Sequence, residues 1–162
     1  MSEINTVPTT SADPDVAAGV AQFLSPVVTD LTALSVDGKQ AHWHVRGENF
    51  IAVHELLDQV VDAAREYADL AAERVVALGL PIDARIQTTA QKTTTPVMSA
   101  GFQQSDSTIA QVVAQIDATL KTVNTAVAEL GTIDPVSQDV AIEIGRGLEK
   151  YRWFLFAHIA AK

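Results

Sequence analysis

From Val53 to Leu78 the chain runs VHELLDQVVDAAREYADLAAERVVAL, without a Gly or a Pro, and a helix is the element such a run forms. A helix turns about 100° and rises about 1.5 Å per residue, so His54 and Asp58 are neighbours one turn apart, as are Asp69 and Glu73. Both pairs carry metal-ligating groups. Within one chain they cannot meet: Asp58 and Asp69 share a face but stand roughly 16 Å apart along the axis, far beyond the reach of metal–ligand bonds of about 2 Å. The residue numbers of His54 and Glu73 add to 127, as do those of Asp58 and Asp69 and those of Asp62 and Arg65. If a second copy of the helix packs antiparallel about a two-fold axis, residue i faces residue 127 − i, and each pair meets its complement twice per dimer. The crossing then falls between Ala63 and Ala64, whose small side chains are expected to permit close approach, and Asp62 is expected to bridge to Arg65 across the axis. The plainer alternative makes these residues the solvated stripe of an amphipathic helix; the shared centre and the matched charges weigh against it.

The rest of the chain reads as more helix. Residues 1–14 are polar, rich in Thr, Ser and Pro, and are expected to form a flexible arm. The remainder, 15–162, suits one domain with an adequate core. A first helix is predicted from about Asp15 to Val45, where Val16, Val20, Phe23, Val27, Leu31 and Leu34 recur at helical spacing, with Pro26 as a kink. RGEN turns the chain, and a second helix is predicted from about Asn49 to Leu78, with Gly79 and Pro81 as stops. The Thr- and Gln-rich segment 80–105 reads as a long crossover with a short helix near Ala84 to Gln91. A third helix is predicted from Ser105 or Asp106 to Leu130, with Gly131 beyond it, carrying Ile109, Val112, Ile116, Leu120, Val123, Val127 and Leu130 inward. Asp134 and Pro135 cap and open the fourth, which carries Val136, Val140, Ile144, Leu148, Tyr151, Leu155 and Ile159. Four long helices with one long crossover describe an all-α, ferritin-like four-helix bundle.

Composition removes several classes of function. There is no cysteine, which excludes disulfides, thiolate metal sites and cysteine nucleophiles. No signal-peptide pattern is present and no stretch reaches the roughly 18 apolar residues of a membrane span, so a cytoplasmic location is expected. A net charge of −9 argues against general affinity for nucleic acid and for attraction of cations.

Three of the four histidines lie in KQAHWHVRGENFIAVHELLD. His42 ends the first helix where the chain doubles back, so it can reach His54 and Asp58. With Asp69 and Glu73 of a second chain the set becomes two imidazoles and three carboxylates, which suits iron, zinc or manganese. His44 is about 200° around the helix from His42 and should point elsewhere; His158 has no acidic neighbour in sequence and reads as structural. An ordinary di-iron site inside one bundle uses Glu-x-x-His motifs, and no histidine here has a Glu three residues before it.

The run KQAHWHVRGENFIAVHELLD, continuing through Asp69 and AAERVVALG, with DPVSQD and the EKYRWFLFAH ending, resembles the Dps family, the DNA-binding proteins from starved cells or mini-ferritins. The resemblance spans nearly the whole chain. It implies a twelve-subunit hollow shell whose two-fold interfaces hold ferroxidase sites, with His42, His54 and Asp58 from one chain and Asp69 and Glu73 from the other. It implies oxidation of iron(II), preferentially by hydrogen peroxide, and storage of the iron(III) oxide in the cavity. Trp43, next to His42, is a candidate trap for stray oxidising equivalents, against the simpler reading of a packing aromatic. Glu55 reads as a solvated surface residue. In the family, acidic residues at the start of the last helix line three-fold pores, and Asp134 and Asp139 match that region, with Glu143 one turn further on; a helix cap and a polar-face residue explain the two aspartates as well. Family members that bind DNA commonly use a basic tail. This chain has no Lys or Arg before Lys39, which argues against direct DNA binding. A second function class, metal-assisted hydrolysis of an amide or ester, is kept because a His and carboxylate site can activate water and some actinobacterial proteins resembling Dps are linked to hydrolysis of acyl amino acids.

Overall fold

Asp13 opens the first helix of the computed structural model, which describes residues 10–160. Its carboxylate accepts hydrogen bonds from the N–H groups of Asp15, at 2.8 Å, and Val16, at 3.4 Å. Pro14 takes the first helical position, where no N–H is needed. The elements that follow are α1 (Pro14–His44), β1 (Val45–Arg46), α2 (Phe50–Ala77), α3 (Ile86–Lys92), β2 (Gln103–Gln104), α4 (Ser105–Ile133) and α5 (Pro135–Ala157). Residues 1–9 of the expected arm lie outside the described residues, and residues 10–13 lead into the Asp13 cap.

The fold is all-α and ferritin-like, with four long helices and the short α3 in the crossover. Helix α1 packs against α2 and α4, and α4 against α5. Leu24, Leu31 and Leu34 of α1 are fully buried with Leu57 of α2, Ile109, Ile116 and Leu130 of α4, and Ile144, Leu148 and Leu155 of α5. Each such side chain contributes roughly 1.5–3 kcal/mol of burial free energy. Val136, expected inside, is 59% exposed. Steps of four drift by about 40° around a helix, so a stripe extrapolated back from Ile144 and Leu148 leaves the core before it reaches Val136.

Two further expectations are corrected. Gly131 lies inside α4, which continues to Ile133, so it is not the residue that ends the helix. A Cβ there would stand 2.7 Å from Nε2 of Gln138, and that amide donates to the carbonyl of Val127 at 3.0 Å. A side chain at Gly131 would have to displace that amide, while Pro135 and the extended backbone of Asp134 stop the helix. Helix α1 also contains an 18-residue window apolar enough, by length and composition, to cross a membrane. Interleaved polar residues such as Ser25, Thr29 and Thr32 break the apolar run yet barely lower its mean hydropathy. Half of that window is buried in the bundle, as a core helix requires.

The crossover is held at its end and in its middle. Its last residues form a short parallel ladder with the α1–α2 turn, Val45 opposite Gln103 and Arg46 opposite Gln104. Gly47, at φ 98°, lets the Gln104 side chain lie against that turn. In its middle, Asp30 of α1, 1% exposed, accepts from Thr93 Oγ1 at 2.8 Å and from Thr94 N, Thr94 Oγ1 and Thr122 Oγ1 at 2.7 Å each.

Candidate metal centre

His42 and His54 are locked together where α1 ends and α2 begins. Nδ1 of His42 is bonded to the carbonyl of His54 at 2.7 Å, and Nδ1 of His54 to the carbonyl of His42 at 2.8 Å. Each imidazole therefore donates from Nδ1. The rings stack with centroids 3.6 Å apart, and His42 is buried while His54 is partly buried. A ring that spends Nδ1–H on a backbone carbonyl keeps Nε2 as its free lone pair, the arrangement found behind metal-ligating histidines.

Asp58 joins them one turn further along α2. Its Oδ1 lies 3.5 Å from Nδ1 of His42 and is bonded to the ammonium of Lys39. That ammonium holds the Asp58 carboxyl below its ordinary range; burial opposes the shift, and the two imidazoles add to it. The three predicted residues of one half-site are thus brought together by α1 and α2.

Asp69 and Glu73 are exposed on the same polar face of α2. The helix is unbroken from Phe50 to Ala77, so they stay roughly 16 Å along the axis from the first group. Among the described residues of one chain, no three His, Asp or Glu side chains form a metal-binding group. Asp69 lines a shallow groove with Thr32, Ser35, Arg65 and Ile82. Asp62 and Arg65 are both exposed, and among the described residues neither makes an ion pair within the chain.

One part of the two-fold expectation is corrected. Ala63 and Ala64 are 7% and 0% exposed in the single chain, and Ala64 belongs to the hydrophobic core. At 100° per residue they lie about 130° to either side of the His54–Glu73 face. They are not on an open face that a second copy could approach; at that height along α2 the exposed residues are Asp62 and Arg65.

The remaining candidates separate cleanly. His44 points away from the half-site: its Nδ1 is bonded to the carbonyl of Gln40 at 2.8 Å, and its ring lies 5.4 Å from Phe102. His158 follows α5 beside a polar recess lined by Glu48, Asn49, Ser105 and Asp106. Trp43 is 62% exposed rather than packed in the chain's own core. Glu55, Asp139 and Glu143 are exposed. Asp134 caps α5, accepting from the N–H of Ser137 at 3.2 Å and from Arg74 Nη2 at 2.7 Å. Burial pushes its carboxyl up, but the bonds from Ser137 and Arg74 prevail and hold it below the ordinary range.

Two functional neighbours escaped the sequence reading. Lys39 stands three residues before His42, the spacing that places side chains on one helix face. Arg74 is 60 residues from Asp134, and no local signal could have paired them.

Four long helices, one crossover and a His–carboxylate cluster at the end of the first pair define a ferritin-like protein, and the ferritin-like domain family matches residues 22–161. The DNA protection during starvation protein of Mycolicibacterium smegmatis is 31% identical over 143 residues, 88% of this chain and 78% of that one. The fine tangled pili major subunit of Haemophilus ducreyi is 31% identical over 86% of this chain and 74% of its own. Among solved structures, Dps from Microbacterium arborescens in its high iron form superposes with a TM-score of 0.91 at 59% identity, covering 94% of this chain and 99% of that one. This chain belongs to the Dps family. It is an iron-storage mini-ferritin.

Proposed function

We propose that this protein oxidises Fe(II) at sites shared between two chains paired about a two-fold axis, uses hydrogen peroxide in preference to oxygen, and holds the Fe(III) oxide inside a shell of twelve chains. The reading is carried by the reciprocal lock of His42 and His54, which spends both Nδ1 atoms on backbone carbonyls and leaves both Nε2 lone pairs free, with the Asp58 carboxylate 3.5 Å from His42 Nδ1. His42, His54 and Asp58 would bind the iron substrate together with Asp69 and Glu73 of the partner subunit. The carboxylates, hard oxygen donors, favour Fe(III), and the imidazoles help retain Fe(II). One peroxide takes one electron from each of two Fe(II) ions and two protons, and its O–O bond is cleaved to give two waters, so no hydroxyl radical leaves the site. Asp62 and Arg65 would bridge the axis between the two sites of a dimer. Trp43, exposed in the single chain beside His42, would intercept oxidising equivalents that escape. Asp139 and Glu143 would lead iron inward at a three-fold pore; Asp134 would stand at its edge, already paired with Arg74.

Anaerobic Fe(II) followed by peroxide should give a rise in Fe(III) absorbance in the parent protein that is at least about a hundredfold slower in a His54→Ala, Asp58→Ala variant, since removal of supporting groups around metal ligands alone costs about 10–100-fold. Equal rates would sink the assignment. A native mass other than twelve chains would sink the shell.

The protein is proposed to protect DNA by removing iron and peroxide and not by binding it, in the cytoplasm. The first Lys or Arg is Lys39 and the net charge is −9, too few cations for a phosphate-driven complex at ordinary salt. A salt-sensitive gel shift with the purified shell would defeat this. Metal-assisted hydrolysis remains the other reading the ligand set allows. The apolar cleft between α1, α3 and the loop that follows shares no residue with the half-site, which leaves ferroxidase chemistry ahead.

A further inference from the structure

Asp58 is the only carboxylate among His42, His54 and Asp58, and it already carries a cation. The Lys39 ammonium is bonded to Oδ1, the oxygen that also lies 3.5 Å from His42 Nδ1. Among the described residues Lys39 has no second ion pair, and Asp69 and Glu73 have none at all. Of the three carboxylates that the interface site would contain, two are open to a metal and one is held by an ammonium. The Lys39 side chain is 28% exposed and ends in a flexible four-carbon stem, so the ammonium has a route to solvent.

We propose that Lys39 is a positioning residue that competes with the metal for Asp58: it holds the carboxylate beside the two imidazoles until metal arrives, and must withdraw for metal to bind. This rests on the ferroxidase reading above. An ammonium and a divalent ion sharing one carboxylate within about 4 Å repel each other, so the resident charge weakens metal binding at Asp58. A storage protein gains from that weakness. Iron has to leave the site for the cavity after oxidation, and an ammonium that resumes its place on Asp58 favours departure over retention.

The test is anaerobic titration calorimetry of the assembled full chain with Fe(II), and with Co(II) as a probe that does not turn over. Lys39→Met, which keeps the stem and removes the charge, should bind metal about tenfold more tightly, with a weaker dependence on salt. Lys39→Arg, which keeps the charge, should match the parent. Unchanged or weaker binding by Lys39→Met overturns the proposal. So does a gain from Lys39→Met that persists when Asp58→Asn is also present, because the effect would then not run through Asp58. Lys39→Gln carries the same expectation and is read in its place should the Met variant fail to assemble. If the parent binds no metal, or His54→Ala leaves binding untouched, the ferroxidase reading itself fails. If the parent binds and the charge of Lys39 makes no difference, only the role of Lys39 fails.

Discussion

Chains carrying His54→Ala and Asp58→Ala, co-assembled with chains carrying Asp69→Ala and Glu73→Ala, should regain iron oxidation that neither variant has alone. In a two-fold dimer each site draws one half from each chain. A mixed dimer then contains one site with every altered residue and one with none. Random mixing makes half of the dimers mixed, each with one intact site of two, so about a quarter of the parental rate should return. The measurement is peroxide-dependent Fe(III) absorbance after the variants are unfolded and refolded together, against each refolded alone. A site built within one chain predicts no recovery, because every chain in the mixture still carries one of the two sets of substitutions. Recovery of zero in assembled mixtures would therefore overturn the split-site reading even if both variants are inactive.

Asp30→Ala should be strongly destabilising although it lies away from the metal centre. The carboxylate, 1% exposed, receives three threonine hydroxyls and the N–H of Thr94. Truncation leaves four donors without their acceptor. Thr93 retains its contact with Thr95 at 2.9 Å, but the Thr94 N–H cannot turn away. Hydrogen bonds to a charged group contribute about 1.5–3 kcal/mol each; because Thr94 is exposed and Thr93 and Thr122 are only partly buried, water replaces part of that, and a loss of about 4 kcal/mol is expected. For a chain of this size that lowers Tm by roughly 8–16 °C. Asp30→Asn is expected to lose less than half as much, because the amide keeps one acceptor and the hydroxyls can rotate to accept from its NH2. Thermal unfolding of both variants at one protein concentration, with the assembly state matched, decides this. Equal losses would show that the charge and both acceptor oxygens of the carboxylate, rather than the bonds an isosteric amide can keep, hold the crossover to α1.

The helices were legible because their signals are local. Apolar spacing in α1 and α4, the Asp13–Pro14 and Asp134–Pro135 caps and the absence of breakers in α2 each act within a few turns, and the observed bounds of α1 and α2 fall within a residue of those predicted. Gly131 and Val136 misled for a related reason. A glycine reads as a terminator when its neighbours in sequence are considered, but α4 runs on through Gly131 and ends only at Asp134 and Pro135. Val136 is apolar, yet its angle on α5 faces outward. The alanine pair failed in the same way: Ala63 and Ala64 sit at the right height along α2 and on the wrong sides of it.

By itself the sequence determined that the chain forms long helices, that His54 and Asp58 lie on one face with Asp69 and Glu73, and that a single chain cannot close a site from both pairs. Those results follow from helical pitch, which depends on nothing outside the segment. Tertiary structure alone decided that the two imidazoles bond each other's backbone carbonyls, that Lys39 occupies Asp58, that Arg74 reaches Asp134 and that Asp30 gathers the crossover threonines. Each of these joins separate elements, and the distance between two elements is set by how their side chains pack, which no local periodicity encodes.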